Sequence, residues 1–457
     1  MNTKYDVVIV GAGVTGLTIA YYLSKSGLNV CLLEKESRVG GVISTIRNGE
    51  FFYEIGPNSG ILSSYEAYRL FESLKPELQI DIARDASNSR WILKDGKCVP
   101  LPSSILNGIT TPLFTFRDKL NLLLEPFREK GHNPNESVKE LTIRRMGKSF
   151  FEYAINPFIS GIYAGDPSKL ITKYALPKLY NLEQNYGSFI KGALNKKFEK
   201  KDEKQKLVSK RVFSFKGGLD SLTKTLAKNI NGDIFTSCSN VSLTNTNSPF
   251  SITYTKDKKN VTITADQLVT TINSHLLLEV LPAEIKHDCP SFGQMNYAKV
   301  AQVIFGFKKW NGIDLNAFGV LVPEVENREV LGILFSSSIF GGRAPKDGAL
   351  LSIFIGGSLK PNMIELSDEQ LVEIAKYEVK EILHTKDNEP DMIDIYRYEY
   401  AIPQYEISSG QRFKEIETVQ EKFRGLTLAG NIRDGIGLSD RITQAVKVAE
   451  ELIAKVK

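Results

Sequence analysis

The stretch that decides the fold is Val7-Val8-Ile9-Val10-Gly11-Ala12-Gly13-Val14-Thr15-Gly16, near the start of the chain. Its four apolar residues predict a buried parallel strand, and its glycines have the G-x-G-x-x-G spacing of a turn into a helix. Gly11 permits a tight turn, Gly13 lets the backbone approach a pyrophosphate, and Gly16 lets the helix pack closely on the strand. Free N–H groups at the helix N-terminus favour an anion. The pattern therefore predicts an adenine-dinucleotide site.

A second strand and an acid extend this pattern. Residues 28–33 predict the next strand, and Glu34 stands at its end, where a carboxylate accepts hydrogen bonds from a ribose diol. An arginine there would have indicated a 2′-phosphate. Arg38-Val39-Gly40-Gly41 adds a second glycine turn, which favours FAD over NAD. The arrangement resembles the glutathione-reductase-like FAD proteins, especially their amine oxidase branch.

The chain closes with another glycine-rich turn, Ala429-Gly430-Asn431-Ile432-Arg433-Asp434-Gly435-Ile436-Gly437-Leu438-Ser439-Asp440. It follows a predicted strand at 426–429 and leads into a predicted helix at 440–454. Amides at the start of that helix are expected to point at the pyrimidine edge of a flavin, where negative charge accumulates on reduction. No cysteine lies nearby, which excludes covalent flavin attachment at this segment.

Composition limits the remaining classes of function. The chain has 457 residues, enough for two or three domains, with 42% hydrophobic residues, 24% charged residues and a net charge of +5. Without a basic stripe interleaved with aromatic residues, nucleic acid is excluded as a partner. Four scattered cysteines and four histidines lack the spacing of a disulfide framework or a metal site, so no metal is predicted. No run approaches the ~20 apolar residues of a spanning helix.

The dinucleotide fold begins at residue 6 and cannot be complete by residue 60, so its domain must be discontinuous. We predict an α/β protein with a Rossmann-like FAD-binding domain formed by residues 1–63, 215–275 and 406–457. A mixed-sheet substrate-binding domain takes residues 64–102 and 276–405, with a hairpin turn at Asp95-Gly96. Residues 103–214 form a helical insertion, with helices at 114–124 and 147–155. The lysine-rich segment 195–206 reads as a solvated loop or as a basic patch facing anionic lipid.

Several segments together resemble the oxygen-dependent protoporphyrinogen oxidases, and the similarity runs essentially from end to end. The most distinctive one is Ser160-Gly161-Ile162-Tyr163-Ala164-Gly165-Asp166-Pro167, within a longer block at 156–170. One departure follows the block Ala401-Ile402-Pro403-Gln404-Tyr405: the family commonly has a Gly-His pair there, and this chain reads Glu406-Ile407-Ser408-Ser409-Gly410. The other matching segments are 54–59, 90–97, 100–102, 182–188, 215–219, 331–332 and 343–345.

The resemblance implies that the protein oxidises protoporphyrinogen IX to protoporphyrin IX in haem biosynthesis. Three two-electron hydride transfers to FAD, with reoxidation by dioxygen to hydrogen peroxide, would complete the reaction. No residue is assigned as a catalytic base, because no histidine falls in a matched motif. The alternatives are a coproporphyrinogen III oxidase yielding coproporphyrin III, another flavoenzyme such as an amine oxidase or carotenoid desaturase, and a non-enzymatic flavin or tetrapyrrole carrier.

The resemblance also implies the residues of the site. Arg90 is expected to pair with a substrate propionate, while Leu321, Leu334 and Phe354 enclose the pyrrole rings and Gly165 lies near the substrate. The predicted cofactor contacts are Gly11, Ala12, Gly13, Val14, Thr15, Gly16, Glu34, Lys35, Arg38, Gly40, Gly41, Gly56, Pro57, Asn58, Val241, Gly430, Asn431, Ile436, Gly437 and Leu438.

By the same resemblance, the helical insertion corresponds to a membrane-facing domain. We expect a cytoplasmic protein held peripherally on the inner face of the cell membrane. The alternative is a soluble helical cap over the pocket. A homodimer is one of the oligomeric states that the sequence leaves open.

Overall fold

The computed structural model describes residues 3–102, 105–199, 202–386, 389–433 and 435–456. Its first sheet is built around the opening strand, Thr3–Val10, which pairs in parallel with Val30–Leu33 on one side and Lys259–Thr270 on the other. Val7, Val8 and Ile9 are fully buried, as a strand covered on both faces requires. The sheet is completed by Asp233–Phe235, Ser239–Asn245, Phe250–Lys256 and Leu426–Leu428.

Helices cover one face of this sheet. The first helix, Val14–Lys25, packs against the C-terminal helix, Leu438–Val456, so the two ends of the chain share one core. Tyr65–Ser73 and Asp220–Lys228 join the same core. Residues 64–102, which the sequence assigns to the substrate-binding domain, are therefore divided between the two sheets. Their helix packs beside the first helix, whereas their hairpin joins the second sheet.

The second sheet is largely antiparallel, and the helix Asp368–Leu383 covers one of its faces. The predicted turn at Asp95-Gly96 is confirmed: both residues have positive φ, and Lys94 pairs with Lys97 across them. In order across the sheet, its strands are Met392–Pro403, Tyr297–Phe307, Ala349–Gly356, Val330–Phe335, Gly319–Leu321, Trp91–Lys94 and Lys97–Pro100.

The region between residues 105 and 207 is helical where the structure describes it. The fully buried Arg145 joins its helices by ion pairs to Glu125 and Glu183. The described residues contain no helix that is both long and apolar enough to cross a bilayer. The helices here are Ile105–Thr110, Phe116–Leu123, Val138–Met146, Lys148–Phe150, Phe151–Ile155, Asn156–Tyr163, Thr172–Ala175, Pro177–Tyr186, Phe189–Phe198 and Glu203–Leu207.

Two expectations for this region are corrected. The helix predicted at 147–155 is α-helical only over Lys148–Phe150 and continues as a π-helical turn over Phe151–Ile155. Pro157 lies two residues beyond its end and lacks the N–H that regular α-helical bonding would use. The lysine-rich loop is mostly helix, because Ser188 and Asp202 cap helices that contain good helix formers. Residues 200 and 201 of that segment lie outside the described residues.

The remaining elements are short connections around the two sheets. The strands Ser44–Asn48 and Phe51–Ile55 form a hairpin, and Gly60–Ile61, Ile80–Ile82 and Val212–Phe215 form a three-stranded sheet. The helices are Ser274–Val280, Ala283–Lys286, Ser336–Ile339 and Ser409–Lys422, with 3-10 turns at Asp85–Asn88, Glu125–Phe127, Pro290–Gln294, Glu324–Glu326 and Pro361–Glu365.

Candidate functional site

The first glycine turn leaves an open space in front of a helix. Gly11 has a φ of +105°, and a Cβ on Gly16 would lie 2.0 Å from the carbonyl oxygen of Gly11, so these two glycines are required by the fold. Gly13 differs, because a Cβ there would meet nothing within 4 Å. Gly13 is also the N-cap of Val14–Lys25, and no side chain caps the first amides of that helix, which include Val14, Thr15 and Gly16. Open space beside uncapped amides fits an anionic phosphate.

Glu34 stands beside this space and is held by the backbone. Its carboxylate, 8% exposed, accepts hydrogen bonds from the N–H of Ala12 at 2.8 Å and of Glu36 at 3.0 Å. Glu34 therefore braces the glycine turn, and its other lone pairs can accept from a ribose diol. Lys35 is exposed beside it and lies 3.9 Å from the carboxylate of Glu36.

The second glycine turn lies directly against the first. The N–H of Gly40 donates to the carbonyl oxygen of Ala12 at 2.8 Å, and a Cβ on Gly41 would lie 3.3 Å from the Cα of Gly13. Arg38 braces the turn by donating to the carbonyl oxygens of Ile43 at 3.0 Å and Gly41 at 2.9 Å. The first and second glycine turns thus form one continuous wall beside the open space at Gly13.

The C-terminal turn meets the N-terminal turn at Thr271. The Thr271 hydroxyl donates to the carbonyl oxygen of Gly11 at 3.0 Å, and a Cβ on Gly430 would lie 3.0 Å from the Thr271 carbonyl oxygen. Asn431 donates to the Oδ1 of Asn273 at 3.0 Å, while its own Oδ1 is buried and has no hydrogen-bond partner among the residues that the structure describes. An unpaired buried acceptor at this place suits a ligand that brings a donor. Ile436, Gly437 and Leu438 are half-buried at the following helix start, and Asp434 lies outside the described residues.

The loop Gly56-Pro57-Asn58 connects this wall to the second sheet. A Cβ on Gly56 would lie 2.3 Å from the carbonyl oxygen of Val42, which follows the second glycine turn. The Oδ1 of Asn58 accepts from Ser352 on the second sheet at 3.5 Å. Val241 is half-buried on the strand Ser239–Asn245 of the first sheet.

A buried ion pair lies beside that loop. Arg343 and Glu54, each 3% exposed, are 3.0 Å apart. Burial raises the pKa of Glu54, although the Arg343 guanidinium and the Thr45 hydroxyl act in the opposite direction. A cavity above the pair is bounded by Asn58 on the cofactor side and by Leu334 on the second sheet.

Leu321, Leu334 and Phe354 occupy one face of the second sheet. Gly332 pairs with both Leu321 and Phe354, and Leu334 is two residues farther along the same strand, so strand alternation places all three side chains on one side. Each is partly exposed, whereas their neighbours on the opposite face are buried in the core. Glycines at 319 and 332 lie between these apolar side chains on the same face. The result is an apolar surface made of leucine, phenylalanine and glycine residues.

Arg90 stands at the edge of this face. It precedes the strand Trp91–Lys94, in which Ile92 pairs with Leu321. Its guanidinium lies over the ring of Phe318, 5.1 Å from the centroid, and is half-buried. In the described part of the chain, Arg90 forms no side-chain hydrogen bond or ion pair, and burial lowers its pKa. A cation held without a counterion beside an apolar surface fits a ligand carboxylate.

The Ser160–Pro167 block contacts the apolar face through Gly161, whereas the sequence predicts Gly165 near the substrate. A Cβ on Gly165 would lie 2.4 Å from the Oε1 of Gln404, so Gly165 packs against the block 401–405. Gly161 instead contacts the apolar face, because its Cβ would lie 2.6 Å from the Cδ2 of Leu321. Sequence reasoning missed Gly161, Gln404 and Tyr405 as parts of the site, although both blocks were singled out as distinctive.

Comparisons with known proteins agree with this geometry. Residues 14–453 match the family of flavin-containing amine oxidoreductases. The chain is 29% identical to protoporphyrinogen oxidase 2, chloroplastic/mitochondrial, of Arabidopsis thaliana, over 98% of this chain and 94% of the relative. It is 26% identical to coproporphyrinogen III oxidase of Bacillus subtilis (strain 168), over 96% of each chain. A crystal structure titled as that of a candidate protoporphyrinogen oxidase from Exiguobacterium sp. 255-15 shares the fold, with a TM-score of 0.81, 24% identity and coverage of 100% of this chain and 99% of that chain.

The fold and the site define an FAD-dependent oxidoreductase. The open space at Gly13, the orphaned acceptor of Asn431 and the carboxylate of Glu34 fit the phosphates, the flavin and the ribose of this cofactor. The chain belongs to the family of flavin-containing amine oxidoreductases.

Proposed function

We propose that this enzyme oxidises protoporphyrinogen IX to protoporphyrin IX in haem biosynthesis, with dioxygen as the electron acceptor. The observation that carries the proposal is the unpaired Arg90 guanidinium at the edge of the apolar face. A porphyrinogen is a bulky apolar macrocycle with propionates at its rim, so it needs these two features together. The relatives named as porphyrinogen oxidases support the same substrate class.

The protein's own residues bind and orient the substrate. Arg90 would pair with a propionate, and Leu321, Leu334 and Phe354 would hold the macrocycle and exclude water. FAD, when bound, supplies the hydride acceptor. We assign no residue as a general base, and we expect the pyrrole protons to pass to solvent.

An assay with purified FAD-loaded protein in air tests this function. We expect protoporphyrinogen IX to yield fluorescent porphyrin and three equivalents of hydrogen peroxide per macrocycle, well above the rate without enzyme. Protein heated to denaturation and then mixed with FAD is the control for free flavin. Porphyrin formation at the uncatalysed rate would reject the proposal.

One observation favours coproporphyrinogen III as a second candidate substrate. Arg84 and Arg211 are exposed beside Ala83 and Ile339. Ala83 and Ile339 belong to a small hydrophobic cluster against which Phe318 and Leu334 also pack. In the described residues neither arginine has a carboxylate partner. Coproporphyrinogen carries two more propionates than protoporphyrinogen, which additional cations would suit. The ratio of kcat/KM for the two porphyrinogens, measured in parallel, decides between them.

We further propose that the helical region attaches peripherally to the inner, cytoplasmic face of the cell membrane. Phe116, Leu123, Leu124 and Phe127 expose 76%, 68%, 56% and 83% of their surface within one short segment, and the exposed Arg117 lies among them. Apolar side chains beside a cation suit the interface of an anionic bilayer.

Vesicle binding tests this attachment. Leu124→Asp is expected to weaken binding to phosphatidylglycerol-containing vesicles roughly tenfold or more, since one buried leucine contributes about 1.5–3 kcal/mol. Tyr377→Asp is the matched control, because Tyr377 is 58% exposed on the helix Asp368–Leu383. Equal binding by both variants in a flotation assay would contradict the proposal.

A further inference from the structure

The segment 405–412, which follows the strand Met392–Pro403, donates hydrogen bonds to carbonyl oxygens of the C-terminal glycine turn. The hydroxyl of Tyr405, 1% exposed, donates to the carbonyl oxygen of Asn431 at 3.0 Å and lies 3.4 Å from that of Gly435. Arg412, fully buried, donates from Nε to the carbonyl oxygen of Ile432 at 2.9 Å. Three carbonyl groups of the turn therefore point toward these two side chains.

This arrangement orients the amides of the turn. In a planar trans peptide the C=O and the next N–H point in opposite directions. Because the Tyr405 hydroxyl faces the carbonyl oxygens of Asn431 and Gly435, the N–H groups of Ile432 and Ile436 point away from Tyr405. The same turn carries the orphaned Oδ1 of Asn431 and is expected to contact the flavin.

Arg412 also carries a buried charge that has no ion-pair partner in direct contact among the described residues. Its Nη2 donates to the hydroxyl of Ser409 at 3.0 Å, and its Nη1 is buried with no partner in the described part of the chain. Glu415 and Glu406 interact with Arg412 through space, but each forms its hydrogen bonds with other groups, Glu406 with Asn296 and Glu415 with Ser291 and Gln411. Among the described residues, no carboxylate forms an ion pair with Arg412. A buried cation without a carboxylate in contact is stabilised further when another negative charge approaches it.

We propose that Tyr405 and Arg412 are positioning residues for the flavin, and that the buried charge of Arg412 raises the reduction potential of the bound FAD. Reduction adds negative charge to the flavin, and a fixed cation behind the turn stabilises that charge in a site of low dielectric constant. Tyr405 orients the turn without adding a charge. The proposal rests on the FAD site and not on the identity of the porphyrinogen.

Potentiometric titration of the bound flavin, without substrate, tests the proposal. Arg412→Gln is expected to reduce the preference for reduced over oxidised FAD about tenfold, which lowers the midpoint potential by about 30 mV for a two-electron couple. Arg412→Lys retains the charge and should restore most of the potential. Tyr405→Phe should weaken FAD binding about fivefold, as loss of one hydrogen bond predicts, with a much smaller change in the potential than Arg412→Gln causes.

A second pair of variants keeps the test decisive if Arg412→Gln does not fold. Ser409→Asp places a carboxylate beside Nη2 of Arg412 and should lower the potential, whereas Ser409→Asn, of similar size, should not. An unchanged potential in the folded charge-altering variants, or an equal fall in Tyr405→Phe, would overturn the proposal. Because no porphyrinogen is used, failure here is distinct from failure of the proposed oxidase activity.

Discussion

Replacement of Gly13 by valine is expected to abolish FAD binding while leaving the fold intact. The new side chain enters open space, since a Cβ at Gly13 meets no protein atom within 4 Å and its φ is −72°. That space is where a phosphate would approach the helix amides. Loss of two charge-assisted hydrogen bonds, at about 2 kcal/mol each, predicts roughly a thousandfold weaker binding. The measurement is the dissociation constant of FAD, from quenching of its fluorescence by apoprotein.

Two variants separate cofactor binding from folding. Gly108→Val adds the same side chain in open space within the helix Ile105–Thr110 and should retain the yellow cofactor. Gly16→Val should unfold the domain, because its Cβ would lie 2.0 Å from the carbonyl oxygen of Gly11. A Gly13→Val protein that is purified with stoichiometric FAD would show that the cofactor does not lie at this turn.

Replacement of Arg90 by alanine is expected to lower kcat/KM for the porphyrinogen about a hundredfold without loss of FAD. The guanidinium has no protein counterion, so its removal leaves no buried carboxylate unpaired within the described residues. A bidentate pair with a propionate contributes about 3 kcal/mol, which corresponds to this factor. Most of the effect should fall on KM, because the propionate is remote from the bonds that react. Steady-state kinetics and the flavin absorbance together measure both quantities.

Arg47 provides the matched control for Arg90. Its guanidinium also lies over a phenylalanine ring, 4.1 Å from the centroid of Phe52, but it is exposed on the hairpin Ser44–Asn48. Arg47→Ala should therefore retain wild-type kcat/KM. If Arg90→Ala instead loses its flavin, Arg90 supports the cofactor side of the site and the propionate assignment is wrong.

The parts of the site that sequence predicts best are those whose geometry is local. The spacing of Gly11, Gly13 and Gly16 specifies a strand, a turn and a helix within ten residues, because Gly11 has a positive φ and a Cβ on Gly16 would meet the carbonyl oxygen of Gly11, while Gly13 leaves space for a ligand. The hairpin at Asp95-Gly96 was predictable for the same reason. FAD as the cofactor followed from these local patterns and is confirmed by the family to which the chain belongs.

Relations between distant segments were not predictable in this way. Leu321, Leu334 and Phe354 become one surface only when three strands align in register, and a shift of one residue would turn a strand's side chains to the other face. Gly161 contacts that surface and Gly165 does not, because of the way the helix Asn156–Tyr163 packs on the sheet. The role of Arg412 depends on a carbonyl group twenty residues away in sequence.

The sequence by itself determined that this protein uses FAD, predicted the first turn as its phosphate site, and pointed through its motifs to a porphyrinogen as the substrate. Only the tertiary structure decided that Gly11 and Gly430 meet at Thr271, that the cation of Arg90 borders an apolar face, and that the charge of Arg412 lies behind the C-terminal turn. The physical reason is the range of the interactions. Backbone sterics act between neighbours in the chain, whereas burial, charge compensation and register are properties of residues that folding brings together.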